Sequence, residues 1–174
     1  MLEFPVLRAP ARGGAPMLAI VGLVSALAWS PSLSTAAPAG PFGPFLGSWQ
    51  GAGTISTSDG RRERISCRAT YEGGEGGESL SQSLVCASDA FRLNIESSAV
   101  ANGGELRGQW QETTRNVQGE LSGQVSRGDY EGTVSGPGFT AQISLRSNGR
   151  RQIVHIQPSA GDIQSVDISL SRRR

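Results

Sequence analysis

The 174-residue chain reads as an all-β protein: a single antiparallel up-and-down β-barrel of about ten strands, with a flattened barrel or a β-sandwich as the alternative. Three observations carry this expectation. After Phe45 no stretch keeps helical periodicity for three turns,. Apolar and polar residues instead alternate in short runs, punctuated by Gly, Asn and Asp turns about every eight to twelve residues,. When successive runs are paired at a constant index sum, as antiparallel strands must be, their apolar faces meet.

The first 39 residues differ in kind. Arg8 and Arg12 precede an apolar run, "MLAIVGLVSALAW" from Met17 to Trp29, and then the small-residue segment "SPSLSTAAPAG". That is the layout of a signal peptide. The run is short for a bilayer span and no basic stop-transfer cluster follows it. Cleavage is expected after Ala36 or Ala39, since Pro38 disfavours a cut after Ala37, and no cysteine stands there to carry a lipid anchor. The expected location is therefore periplasmic or secreted. The "GPFGP" stretch over 40–44 reads as a flexible lead-in, 45–172 as the barrel domain and 173–174 as a basic tail,.

Charge narrows the function. All sixteen basic residues are arginine, so lysine Schiff-base and lysine general-base chemistry are excluded,. From Gly40 onward fourteen arginines balance fourteen carboxylates, and nothing in that balance calls for nucleic acid,.

The strands follow in order. "FLGSWQGAGTI" opens the first, and Ser58-Asp59-Gly60 forms a three-residue loop in which Gly60 supplies the positive φ,. On the second strand Ile65, Cys67, Ala69 and Tyr71 face inward, while Arg62, Arg64 and Arg68 alternate on the outer face beside Arg61. The glycine-rich loop "EGGEGGE" is centred between Cys67 and Cys86, setting them directly opposite, with Leu80 and Leu84 as inner neighbours. In an oxidising compartment that pair is a structural disulfide. A turn at Asn102-Gly103 sets Ile95 against Trp110 and Ala99 against Leu106. One at Arg115-Asn116 sets Trp110 against Leu121 and Leu106 against Val125. "SRGDYEGTV" brings Gly132 opposite Gly123, "SGPGF" brings Ala141 opposite Gly132, and Asn148-Gly149 sets Ile143 against Val154 and Ala141 against Ile156.

Within this register the near-repeat GELRGQ and GELSGQ yields a rung of small inner residues: Ser97, Gly108, Gly123, Gly132 and Ala141. Glycine in a strand costs about 0.5–1 kcal/mol relative to alanine, so the rung needs a reason. Either the glycines let a strongly coiled barrel bend, with Trp110 or Trp49 lying across them, or the rung, Trp49 and Trp110 line a ligand cavity.

The Gly47-Ser48-Trp49 string on the first strand resembles the Gly-x-Trp that begins lipocalin, avidin and related calycin barrels. The longer string from Gly47 to Gly53 is similar to the opening of nitrobindin-type haem barrels. The calycin resemblance implies that Trp49 packs across the closed end of a barrel beside an arginine from a late strand, for which Arg172 is the candidate. The haem resemblance implies a histidine ligand on a late strand. His155 is the chain's one histidine, and the register puts it on the outer face, opposite Gln142. No cofactor and no metal site is expected.

Catalysis is not expected either. There is no Gly-x-Ser-x-Gly elbow, the cysteines pair with each other, and Glu112 at the end of its strand faces Gly119 and lies near Arg115, an ion pair with no second acid,. An outer-membrane barrel would need an apolar outward face, whereas Arg107, Gln109, Gln111, Glu120, Gln124, Gln142 and Arg146 fall there,. Two functions remain: a non-enzymatic barrel holding a small apolar or amphipathic ligand, or an envelope interaction protein with a filled core, meeting an anionic envelope component through Arg61, Arg62, Arg64 and Arg68.

Overall fold

The computed structural model describes residues 40–90 and 92–174, so the expected signal peptide and its cleavage sites lie outside the described residues. Ten strands follow one another: β1 (Gly47–Thr57), β2 (Arg62–Gly73), β3 (Ser79–Ala87), β4 (Arg92–Asn102), β5 (Glu105–Glu112), β6 (Val117–Ser126), β7 (Asp129–Gly136), β8 (Phe139–Ser147), β9 (Arg151–Pro158) and β10 (Ile163–Arg172). Each pairs antiparallel with its chain neighbours, and β1 pairs with β10 to close the barrel. The closing ladder runs from Trp49 opposite Arg172 to Thr57 opposite Ile163, with one irregularity between Ser56 and Thr57. That ladder decides between barrel and sandwich in favour of the barrel. No helix among the described residues is long and apolar enough to cross a membrane.

The expected faces are observed. Inner positions alternate with more exposed ones, and β2 shows the pattern most cleanly, with Ile65, Cys67, Ala69 and Tyr71 buried between more exposed neighbours. Cys67 lies opposite Cys86 and the two form a disulfide with a Cα–Cα separation of 4.2 Å, the close approach of a non-hydrogen-bonded pair,. Ser58-Asp59-Gly60 connects β1 to β2 as expected, with Gly60 at φ +83°. Gly123 faces Gly132.

Four hairpins differ from expectation by two residues, for local reasons. The β4–β5 turn is Gly103-Gly104, because a type I′ turn needs positive φ at both central positions and these two glycines supply +59° and +90°,. Ile95 therefore faces Glu112 and Ala99 faces Gly108, not Trp110 and Leu106. Between β5 and β6 the Glu112 carboxylate accepts the N–H groups of Thr114 and Arg115 and builds a longer loop, so Trp110 faces Gly119 and Leu106 faces Gly123. Pro137-Gly138 makes a two-residue turn that sets Gly132 against Ile143 and Ala141 against Val134. Between β8 and β9 the Asn148 side chain accepts the N–H groups of Arg150 and Arg151, and Ile143 faces Ile156 while Ala141 faces Pro158.

A two-residue slip preserves the face but moves every rung. The small-residue rung therefore dissolves: Gly108 lies between Ala99 and Leu121, and Gly123 between Leu106 and Gly132. What the Gly123–Gly132 pair permits is close approach of backbones. A β-carbon on Gly123 would come within 2.5 Å of the Gly132 Cα and closer still to the Glu131 carbonyl oxygen. Trp110 does lie against glycine, but at Gly119 and Gly136, where added β-carbons would stand 2.7 Å from its Nε1 and 2.8 Å from its Cζ2.

The lead-in over 40–44 is packed and not loose. Residues 41–45 turn back under the barrel, held by Phe45 N–H to Phe42 O, and bury both phenylalanines almost completely. Ser147 Oγ donates to Pro44 O at 2.6 Å, fastening the turn to the end of β8. One end of the barrel is thereby stoppered. The β1–β2, β3–β4, β5–β6, β7–β8 and β9–β10 connections lie at the other end.

Two substitutions check this account. Replacing Cys67 and Cys86 by alanine, which opens a cross-link over a sequence separation of 19, should cost roughly 2–4 kcal/mol in denaturant unfolding. Gly123→Val, in spite of valine's preference for strands, should destabilise by at least ~1–3 kcal/mol because backbone occupies its space; an unchanged melting temperature would contradict the close β6–β7 approach.

Candidate functional site

Inside the barrel, above the phenylalanine stopper, lies a cavity of about 550 Å³. Its wall is aliphatic and aromatic, including Leu84, Ile95, Leu106, Leu121, Tyr130 and Ile156. Arg115, from the β5–β6 loop, and Gly161 and Asp162, from the β9–β10 loop, also line it and place its mouth at the end opposite the stopper. Backbone pairing of Ser58 N–H with Asp162 O ties the β1–β2 and β9–β10 loops together at this rim. The outer surface of β2–β6 carries a second concavity of about 700 Å³ with Ser, Gln and Glu side chains. It is shallow and polar, so water competes for each contact a ligand could make there, and the interior is the stronger candidate.

The closed end is built around one carbonyl. Phe45 O accepts Trp49 Nε1–H at 2.7 Å and, more loosely, Gln152 Nε2–H at 3.4 Å. Arg172 stands over the Trp49 ring, its Cζ 5.6 Å from the centroid, and donates to Leu46 O at 2.7 Å and Gly149 O at 3.0 Å. Gly47 makes room: a β-carbon there would lie 2.8 Å from the guanidinium. Trp49 and Arg172 thus have the mutual placement that the Gly-x-Trp resemblance implied.

At the mouth Glu112 is almost fully buried, with its carboxylate between backbone donors. Burial alone would raise its pKa, but the N–H groups of Asn94, Arg115 and Thr114, helped by the Thr114 side chain, outweigh that and hold it down to about 2. Arg115 Nη1 sits 3.6 Å from the same carboxylate. Glu112 is therefore an ionised structural cap on the rim, facing Ile95 and Val117 in place of the expected Gly119.

Of the residues expected to line a pocket, Ser97, Trp110 and Ala141 do so. Trp49 instead belongs to the closed end, and Gly108, Gly123 and Gly132 are strand-packing positions outside the cavity lining. Trp110 donates to Ser135 O at 2.9 Å and stacks obliquely on Phe139, with ring centroids 5.7 Å apart. Among the arginines, Arg61 is engaged by Asp59 at 2.6 Å. Arg62, Arg64 and Arg68 are exposed opposite Ser56, Thr54 and Gln50 of β1, with no ion pair among the described residues. His155 is on the outer face as expected, but bonded to Asp167 across β10 at 2.7 Å. No group of three or more metal-ligating side chains occurs among the described residues.

Sequence reasoning missed the stopper and the interior Gln82, and it placed Tyr71 on the inner face without counting it among the pocket residues. Tyr71 packs on Phe45, ring centroids 6.4 Å apart, and burial pushes its phenol well up. Tyr130 donates to Ser122 O at 3.2 Å, and burial pushes its phenol up to about 12. The signal for the stopper was present in "PFGPF", where two phenylalanines three apart are too apolar for a free tether.

No protein-family model matches the chain, and no curated protein does. Solved structures do. The Rv2717c protein of M. tuberculosis superposes with a TM-score of 0.61 at 18% identity, covering 75% of this chain and 94% of its own. CPES, an S-type phycobiliprotein lyase of Guillardia theta, superposes with a TM-score of 0.55 at 11% identity, covering 76% of this chain and 90% of its own. At such identities the likeness establishes a shared antiparallel barrel fold and nothing about activity,.

The rim chemistry gives a pH test. Glu112 has its pKa lowered from 4.5 to about 2, so its contribution to stability is fully present above the higher value and is lost as pH falls through the lower,. Glu112→Gln should unfold more readily at neutral pH and should lack the parent's loss of stability between about pH 4.5 and 2. Parallel stability curves for the two proteins would show that the carboxylate is not held in this way.

Proposed function

We propose that this protein is an exported, non-catalytic binding barrel that carries one small apolar molecule in its interior. The observation that supports this best is the cavity: about 550 Å³, walled by apolar side chains, stoppered at one end and open at the other. That volume falls within the roughly 300–1,000 Å³ typical of small-molecule sites. A core selected for stability alone would be close-packed, and a void of this size forfeits dispersion contacts around its whole lining. Export fits the disulfide, which persists in oxidising compartments,. One structural neighbour is named a lyase; here the mouth presents Glu112 already saturated by backbone donors, which leaves it poorly placed to move protons.

A second reading rests on the outer face. Arg68 shares a rung with Gln50, Ser171 and Arg151, and Arg150 adjoins Arg172 through its carbonyl. Arg151, Arg173 and Arg174 have no ion pair among the described residues, so this exposed arginine surface suits an anionic envelope component,. The two readings are compatible, since one uses the interior and the other the exterior.

The carrier reading is tested with N-phenylnaphthylamine, a neutral apolar dye that brightens when desolvated. The mature parent should bind it saturably at micromolar concentration and quench Trp110. Ala141→Phe, which fills the cavity from a lining position, should abolish uptake while the β-sheet circular dichroism persists. A parent that leaves the dye dark would remove this reading.

A further inference from the structure

One rung of the interior is polar. The register places Tyr71 opposite Gln82, Gln82 opposite Ser97 and Ser97 opposite Trp110, so four inner side chains with hydrogen-bonding groups succeed one another across β2 to β5 in a lining that is mostly apolar. Two of the four are internally satisfied: Trp110 donates to Ser135 O, and Ser97 Oγ donates to Gln82 Oε1 at 3.0 Å. The other donors are not. The Tyr71 hydroxyl and the Gln82 Nε2 hydrogens have no hydrogen-bond partner among the described residues, although both residues line the cavity. Both residues line the open cavity, where a ligand acceptor can take the place of water on these donors,.

The rung also has a direction. Tyr71 lies two residues from the end of β2 at the stoppered end and packs on Phe45, whereas Trp110 lies two residues from Glu112 at the mouth. The free donors therefore sit deep, and the apolar side chains Val117, Phe139 and Ile163 line the cavity toward the mouth. Charge completes the case. Among the described residues the charged side chains on the lining are Glu112, Arg115 and Asp162, all at the mouth, and none of them places a cation at the deep end for a carboxylate.

Building on the carrier reading, we propose that the barrel selects a neutral, elongated apolar molecule bearing a carbonyl-type oxygen, which enters oxygen first and accepts hydrogen bonds from Tyr71 and Gln82. A free carboxylate is disfavoured at that depth, because it would lose its hydration without gaining a counter-ion.

Three fluorescent probes of one shape test this: a dimethylaminonaphthalene with an acyl ketone, the same naphthalene with no acyl group, and its carboxylate. The parent should bind the ketone about tenfold more tightly than the unsubstituted naphthalene, and the carboxylate most weakly. Tyr71→Phe, which keeps the ring against Phe45, and Gln82→Leu should each shrink the ratio of ketone to naphthalene affinity. The bound ketone's infrared carbonyl stretch should shift to lower frequency in the parent and revert in Tyr71→Phe. Equal affinity for ketone and naphthalene in the parent, or a preference that survives both substitutions, would overturn the donor rung while leaving the carrier reading intact. Binding of none of the probes would overturn the carrier reading itself, and this inference with it.

Discussion

The carbonyl of Phe45 is the point on which the rest of the barrel depends. It lies in a chain segment that belongs to no strand, yet it accepts the indole N–H of Trp49 from β1 and the amide of Gln152 from β9. Arg172 then locks the same corner from β10, with its cation over the indole and its donors on Leu46 and Gly149. Three strands distant in sequence are thus indexed to one turn. That indexing sets the β1–β10 ladder, the one pairing that no hairpin can dictate, since its partners are over a hundred residues apart,.

Concentrating the packing at this end has a consequence at the other. Phe42, Phe45, Trp49 and Leu170 are all but inaccessible, while Leu84, Leu121, Ile143 and Ile156, farther up the wall, remain partly accessible from the interior. A barrel closed by ladders of backbone hydrogen bonds does not need a filled centre to keep its shape, provided one end is sealed and the strands coil tightly. The Gly123–Gly132 crossing and the glycines against Trp110 permit that coiling.

Much of this was legible in the chain, and the boundary of legibility has a physical cause. Face assignment survives an error of two residues because side chains alternate with period two, so Ile65, Ala69, Tyr71, Leu106 and Val125 are buried as expected,. Rung assignment has no such protection. It failed where a side chain shaped the loop, as Glu112 and Asn148 do by gathering N–H groups, and where another pair took the turn, as Gly103-Gly104 and Pro137-Gly138 do. It succeeded at the Cys67–Cys86 rung and at Gly123–Gly132, where the loops between them are symmetric about their centres. The proposed ligand site fell on the failing side. A glycine floor was expected, and the polar rung of Tyr71, Gln82 and Ser97 stood elsewhere because its members align only across three correctly indexed strands.

The central claim, a barrel sealed by its lead-in around an open apolar interior, is met most directly by xenon titration followed through methyl resonances. Xenon enters apolar cavities without needing any polar contact, so it asks only whether the space exists. Saturable shifts of the Leu121, Ile143 and Ile156 methyls, with the Val100 and Ile153 methyls on the outer face unmoved, are the predicted result. A uniform, non-saturating drift over all methyls would mean a filled barrel and would contradict the account.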